Sequence, residues 1–452
     1  MTREIITIGV GGAGIRAATK FWELILAEHG IGRYGTNPST HDDGTFECFF
    51  EKTGAGQFVP RSLLVDLEPN VINDVKNSQY AAIFHPDFLL SGREDAGNNF
   101  ARGYYTVGKE IIDKVNDRVR KLVDSCDNVQ GFIIFHALGG GTGSGLGALL
   151  LERLAVDYRE KSKIAFAIYP SPTMSHCVVE PYNALLSTHW LLKYTDVSFI
   201  FDNEALVEYC QKWLDIEKPT YDHLNELIAH AASGITASLR FEEEFNVDLD
   251  EFKTNLVPYS RLHLMTVSLA GFTTKEKSET ENQDVQNLSE NLFSPSHFLT
   301  KIVDFDIEED KYMAISLTYR GGVKAKVANA MVQWLKTNRK VTFVEEVSTG
   351  FKIGLSEMLP TPPTNWTIYP LNITGLMIGN NTAINRALFN QRISKKYDLM
   401  YSQRAFVHWY ISEGMEEGKF AEAREDLGLL EKDYLDVLTS DYEDEEENEN
   451  DD

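Results

Sequence analysis

No stretch of this 452-residue chain approaches the ~20 consecutive apolar residues that a helix needs to cross a bilayer. The opening run MTREIITIGV carries an acid and an arginine and passes straight into a strand pattern. It lacks the basic, apolar and small-residue zones of a secretory signal. Cysteine is scarce: Cys48, Cys126, Cys177 and Cys210 share no CxxC spacing, which argues against a zinc site or a disulfide framework. Positive charge is also in deficit, with 43 Lys and Arg against 68 Asp and Glu, and the net charge of −25 disfavours nucleic acid and anionic membrane as partners. The expectation is a chain that works in a reducing cytoplasm.

The deficit of base is complete at the end. DYEDEEENENDD (441–452) holds nine carboxylates in twelve residues and no Lys or Arg. Such a run cannot bury enough apolar area to fold, so it is expected to stay disordered and to attract basic partners.

What is present is an alternation of apolar strands and amphipathic helices. Strand patterns fall at EIITIGV (4–10), SLLVDLE (62–68), GFIIFHA (131–137), KIAFAIYP (163–170) and VSFIFDN (197–203), with helical patterns between them at 14–28, 100–125, 142–159 and 180–194. This order predicts a parallel sheet covered on both faces, with ligands at the carboxyl ends of its strands. A helical pattern at 221–240 leads into a mixed region with strands HLMTVSLA, KYMAISLTYR and TGFKIGL and helices near 286–292 and 324–336. Beyond residue 382 the pattern is helical. Phe420, Ala423, Leu427, Leu430 and Tyr434 recur at spacings of three and four on a polar helix over about 413–437, a stripe suited to packing on the protein's own body. The predicted organisation is a Rossmann-like domain over 1–202, a mixed α/β intermediate domain over 203–382, C-terminal helices forming a hairpin over 383–440, and the acidic tail.

Two glycine-rich loops follow strands and open helices. In ITIGVGGAGIRAA, Gly9, Gly11 and Gly14 spell GxGxxG, a dinucleotide fingerprint. That fingerprint needs an acid about 20 residues on, ending a second strand. GIGRYGTNPSTHDDG has loop composition there instead, so NAD loses support. The second loop, HALGGGTGSGLG, places five glycines between Gly139 and Gly145, with Thr142 and Ser144 as hydroxyl donors. Glycine backbone approaches an anion closely, and the following helix N-terminus favours phosphate. The Walker A pattern is absent. Two such loops at one sheet edge suit a polyphosphate.

GGGTGSG resembles the tubulin signature, and the first loop resembles its tubulin partner, with GGAG as in the bacterial division GTPase FtsZ. VDLEP (65–69), REDAGNNFARGYYTVGKEIID (93–113), VVEPYNALLSTH (178–189), ITASLRF (235–241), NLVPYSRLH (255–263) and RAFVHWYISEGMEEG (404–418) resemble the α type of that family, over essentially the whole chain. The resemblance implies GTP rather than NAD, with Mg²⁺. It also implies a heterodimer with β-tubulin that polymerises head to tail into cytoplasmic microtubules. Folding chaperones are implied partners, as are associated proteins and motors through the tail.

Residue by residue, it implies nucleotide contacts from Gly11, Gly12, Ala13, Ala137, Gly140, Gly141, Thr142 and Gly143, and from Asp95, Ala96, Gly97 and Asn98 beside the terminal phosphate. His176 and Glu180 are further contacts, Asn203 and Asn225 read guanine, and Tyr221 stacks on it. Glu68 is the implied magnesium ligand, beside Asp66. FNVDLDEF carries NxDxxE at Asn246, Asp248 and Glu251, and Glu251 would activate water on the nucleotide of the next subunit, a general-base role open to a carboxylate. Glu251 and the long SEMLPTPPTNWTIYPLN (356–372) point to the α type. Gly12 and Arg16 stand where tubulins carry Gln, Ala137 replaces Ser and His176 replaces Thr. The loop after the first helix has no lysine, and the chain ends in Asp452 instead of Tyr. A self-polymerising FtsZ-like GTPase is the alternative.

Overall fold

Ten strands form one continuous sheet in the computed structural model, which describes residues 3–36, 45–175, 177–241, 248–302, 305–306, 309–344 and 350–449. The strands are β1 (Glu4–Val10), β2 (Phe50–Lys52), β3 (Phe58–Pro60), β4 (Ser62–Asp66), β5 (Leu89–Ser91), β6 (Val129–Ala137), β7 (Ser162–Tyr169), β8 (Val197–Asp202), β9 (Leu264–Thr274), β10 (Tyr312–Arg320), β11 (Phe351–Ser356) and β12 (Ile368–Asn381). Their order is β11-β10-β12-β9-β8-β7-β6-β1-β4-β5, with β2 and β3 paired apart. Every strand of the large sheet runs the same way except β12, which is antiparallel to both β9 and β10.

The apolar runs are continuous because both faces of the sheet are covered. Along β6 the side chains alternate: Ile133 and Phe135 join one core, Phe132 and Ile134 the other. The first core is closed by helices α1 (Gly11–Glu28), α6 (Asn203–Trp213), α7 (Tyr221–Arg240) and α8 (Leu249–Leu256). The second is closed by α3 (Val107–Asp124), α4 (Gly147–Asp157) and α5 (Glu180–Tyr194), while the short α2 (Pro69–Lys76) follows β4. Beyond α9 (Lys275–Ser278), helices α10 (Val285–Leu292) and α11 (Ala325–Thr337) cover a third core on β9, β10 and β12.

The C-terminal segment begins with a π-helical turn at Asn385–Ser394 and continues through α12 (Lys395–Ser402), α13 (Val407–Ser412) and α14 (Gly418–Glu449). The predicted stripe holds: Phe420, Ala423, Leu427, Leu430 and Tyr434 are buried, and α14 packs on α5. The helix starts at Gly418, later than the pattern suggested, because Arg404, Phe406 and Gly414 adopt positive φ in the turns before it. Helical backbone reaches Glu449, past Val437, the last buried apolar residue of the stripe. No helix among the described residues is long and apolar enough to cross a membrane.

Candidate functional site

Both glycine loops lie at the carboxyl edge of the sheet, where β1 and β6 run side by side. Gly11 follows β1 directly with φ of +72°, and a Cβ there would press on the Gly143 backbone nitrogen at 3.0 Å. Only glycine serves at that crossing. Gly14 is pinned equally: a Cβ would overlap the Phe135 carbonyl oxygen. In the second loop the His136 ring meets the Gly143 carbonyl at 3.0 Å, and burial pushes its pKa down to about 4. The Ser144 hydroxyl donates back to the Gly140 and Gly141 carbonyls, shaping the turn that opens α4.

A cavity of about 550 Å³ opens between the loops. Gly12, Ala13, Asn98, Ala137 and Gly140 line it from loops and helix starts, and Glu180, Asn203, Tyr221 and Asn225 line it from α5, α6 and α7. The remaining residues expected there stand behind the wall or beside it. Gly11, Gly143 and Thr142 are buried in the loop backbones, and Gly141 packs against Ala96, whose methyl a Cβ on Gly141 would meet at 2.7 Å. Asp95 and Gly97 are exposed in the neighbouring loop, where the Asp95 carboxylate accepts from the Gly97 amide at 3.1 Å. His176 and Asn246 lie outside the described residues.

Three carboxylates gather beside the first loop. Asp66 ends β4 in a buried position, and burial, with Asp95 and Glu68 close by, raises its pKa to about 6. Glu68 stands just before α2 and its carboxylate accepts from the Asn70 side-chain amide. Among the described residues no cluster of three or more His, Cys, Asp or Glu is arranged to hold a metal by itself. A cation here therefore needs other ligands, as Mg²⁺ does when phosphate oxygens and water complete its shell.

Glu251 is elsewhere. Its helix, α8, is tied to the amino edge of the sheet: Asp248 pairs with Arg3 before β1, Asp250 accepts from Ser162 at the start of β7 (2.6 Å), and Lys253 binds Asp196 before β8 (2.6 Å). Ile168 and Tyr169, at the other end of β7, line the cavity. The eight residues of β7 span roughly 20–25 Å. Glu251 thus faces away from the cavity of its own chain, and its side chain, 46% exposed, pairs with Lys352 of β11 at 2.8 Å.

Sequence reasoning passed over Asn183. It is fully buried on α5, and its amide donates to the carbonyls of Asn98 (2.7 Å) and Gly139 (2.9 Å). Its oxygen accepts from the Phe100 amide (3.0 Å) and the Tyr410 hydroxyl (2.7 Å). One side chain thereby fixes the 94–99 loop, the second glycine loop and α13. The only signal was an Asn on an otherwise apolar helix face. Nearby, Val178, Leu399, Phe406, Trp409 and Ile411 are large exposed apolar residues, and the Trp409 carbonyl accepts from Asn99 beside the cavity.

Residues 4–211 match the Tubulin/FtsZ family GTPase domain, and residues 260–394 match the tubulin C-terminal domain. The chain is 51% identical to the Tubulin alpha-2 chain of Eleusine indica over 449 residues, 98% of this chain and 99% of that one. It is also 51% identical to the Tubulin alpha-1 chain of Pelvetia fastigiata over 451 residues, 98% of each.

Proposed function

The chain belongs to the tubulin family, and we propose that it is an α-type subunit that holds GTP, pairs with a β-type subunit, polymerises head to tail, and carries Glu251 to the nucleotide of the next subunit. The GTPase-domain match supports guanine nucleotide chemistry, and the two α chains among its relatives support the subunit type. The observation that carries the reading is the placement of cavity and Glu251 at opposite edges of one sheet. A subunit built this way cannot attack its own nucleotide. Stacked head to tail, it presents its Glu251 to the neighbour's cavity, and contacts of this heterologous kind extend into filaments. The exposed Trp409, whose carbonyl accepts from Asn99, and Leu399, in a groove that shares Glu180 with the cavity, are the kind of apolar surface a partner covers.

In this reading the backbone amides at the start of α1 and of the helical turn Thr142–Leu146 that leads into α4 bind the phosphates. The amides of Asn203 and Asn225 offer donor and acceptor to guanine, and Tyr221 stacks on it. Glu68, with Asp66 beside it, would hold Mg²⁺, and the ion would neutralise phosphate charge. The protein's own steps are to bind, to orient, and, through Glu251, to take a proton from water at the next subunit. The acidic tail recruits basic microtubule-associated proteins and motors in the cytoplasm.

Coexpression with a β-type chain, purification and extraction of bound nucleotide test this. One non-exchanging GTP per heterodimer and assembly only with the partner are expected. Assembly and GTP turnover by this chain alone would replace the reading with the self-polymerising one.

A further inference from the structure

The nucleotide cavity has one unusual wall. Position 12 is glycine, and a Cβ built there has room, with Val71 Cγ2 at 3.4 Å and the Asp66 carboxylate at 3.9 Å. The space is open toward the acids that gather around Asp66. Asp66 stands behind this wall with Glu68 and Asp95 near it, and position 12 itself offers a polyphosphate no side chain.

Arg16 is the one cationic side chain on the cavity wall among the described residues. It follows Gly12 by four residues on α1, so the two share a helix face about 6 Å apart along the axis. Side chains on a helix lean toward its N-terminus, the end at which Gly12 stands. The side chain is exposed, and no hydrogen bond or ion pair ties it to a described residue. Lys20, one turn further on, is already committed: it bonds Glu23 at 3.2 Å and lies 5.5 Å from the Trp366 ring centroid. An uncommitted guanidinium at the rim of an anion cavity suits bidentate contact with phosphate oxygens.

We propose that Arg16 is a phosphate-binding residue of this cavity, supplying by charge the contact that glycine at position 12 leaves unfilled. The proposal rests on the nucleoside triphosphate reading above. Part of the phosphate charge is then balanced by the protein, and retention of nucleotide depends less on a divalent cation than it would with an amide at position 16.

The test uses the purified heterodimer loaded with radiolabelled GTP, with release followed after addition of a chelator. Losing a charge-assisted hydrogen bond should make Arg16→Gln release GTP from this chain roughly 10–100-fold faster. Arg16→Lys, which keeps the charge but loses the fork, should fall between the two. The double variant Gly12→Gln with Arg16→Gln should recover much of the retention. Arg16 is exposed, so the thermal midpoint should fall only as far as the weaker binding of GTP requires and recover as GTP is added, which separates a ligand contact from a structural role. Wild-type release and full nucleotide content in Arg16→Gln would overturn the proposal. A wild-type chain purified without guanine nucleotide would instead overturn the reading beneath it.

Discussion

Replacing Glu251 by Ala separates a subunit that acts on its neighbour from one that acts on itself. The carboxylate is half-exposed and its one ion pair among the described residues, with Lys352, is partly exposed, so folding should change by no more than about 1 kcal/mol. The cavity lies a full strand length away, so nucleotide binding by the variant chain should be untouched. Loss of a general base costs roughly 10²–10⁴-fold in rate, or about 3–5 kcal/mol of barrier. Heterodimers carrying Glu251→Ala should therefore assemble with GTP and release phosphate at no more than about a hundredth of the wild-type rate. Their lattices should keep GTP on the partner subunit and resist depolymerisation on dilution. Phosphate release during assembly, with label on the partner's GTP, gives the rate directly. A wild-type rate in the variant lattice would refute the trans role. Hydrolysis of this chain's own GTP in unassembled dimers would refute the argument from opposite sheet edges.

Three further perturbations follow from the structure. Deleting 441–452 should leave assembly intact, since the buried stripe of α14 ends at Val437. It should weaken landing of basic motors, most clearly at low salt where the tail's charge is least screened, and unchanged landing there would count against a recruiting tail. Asn183→Ala should strand the Asn98 and Gly139 carbonyls and the Phe100 amide, costing about 2–5 kcal/mol and loosening nucleotide binding. A variant with wild-type thermal midpoint and nucleotide content would show the loops are fixed otherwise. Stability should fall in acid. Burial holds His136 and His230 down to about 4, and burial with Arg240 holds His29 down to about 3, so each is neutral when folded. The unfolded chain takes up their protons first as pH drops below about 6.5, which removes of the order of 1–2 kcal/mol per histidine by pH 5. Burial alone would raise the Glu28 carboxyl, but Arg320 and Arg240 hold it down to about 2, so its contribution is full above about 4.5 and is lost below that. A urea midpoint no lower at pH 5 than at pH 7.5 would contradict this.

How far the sequence disclosed this molecule depends on whether each signal was local. β1, β6, β7 and β8 were legible because each is an unbroken apolar run between loop residues, and α7 because its apolar residues keep helical spacing over Tyr221–Arg240. β12 was not. Pro370, Gly375 and Gly379 interrupt its pattern, and it becomes a strand by pairing with β9 and β10, whose residues are distant in sequence. The glycine loops announced a phosphate site because glycine density is itself the physical requirement. Asn183 could not announce itself, since its partners at Asn98, Gly139 and Tyr410 are brought to it only by the fold. The same holds for Glu251. Its identity is local, but its remoteness from the cavity is a property of strand direction, fixed when Ser162 and Tyr169 end up at opposite ends of β7. Gly12 and Arg16 show both cases at once. Read in sequence they are two lost amides, a weaker pocket. Set four residues apart on one helix face at the cavity wall, they become a missing contact and the cation able to replace it.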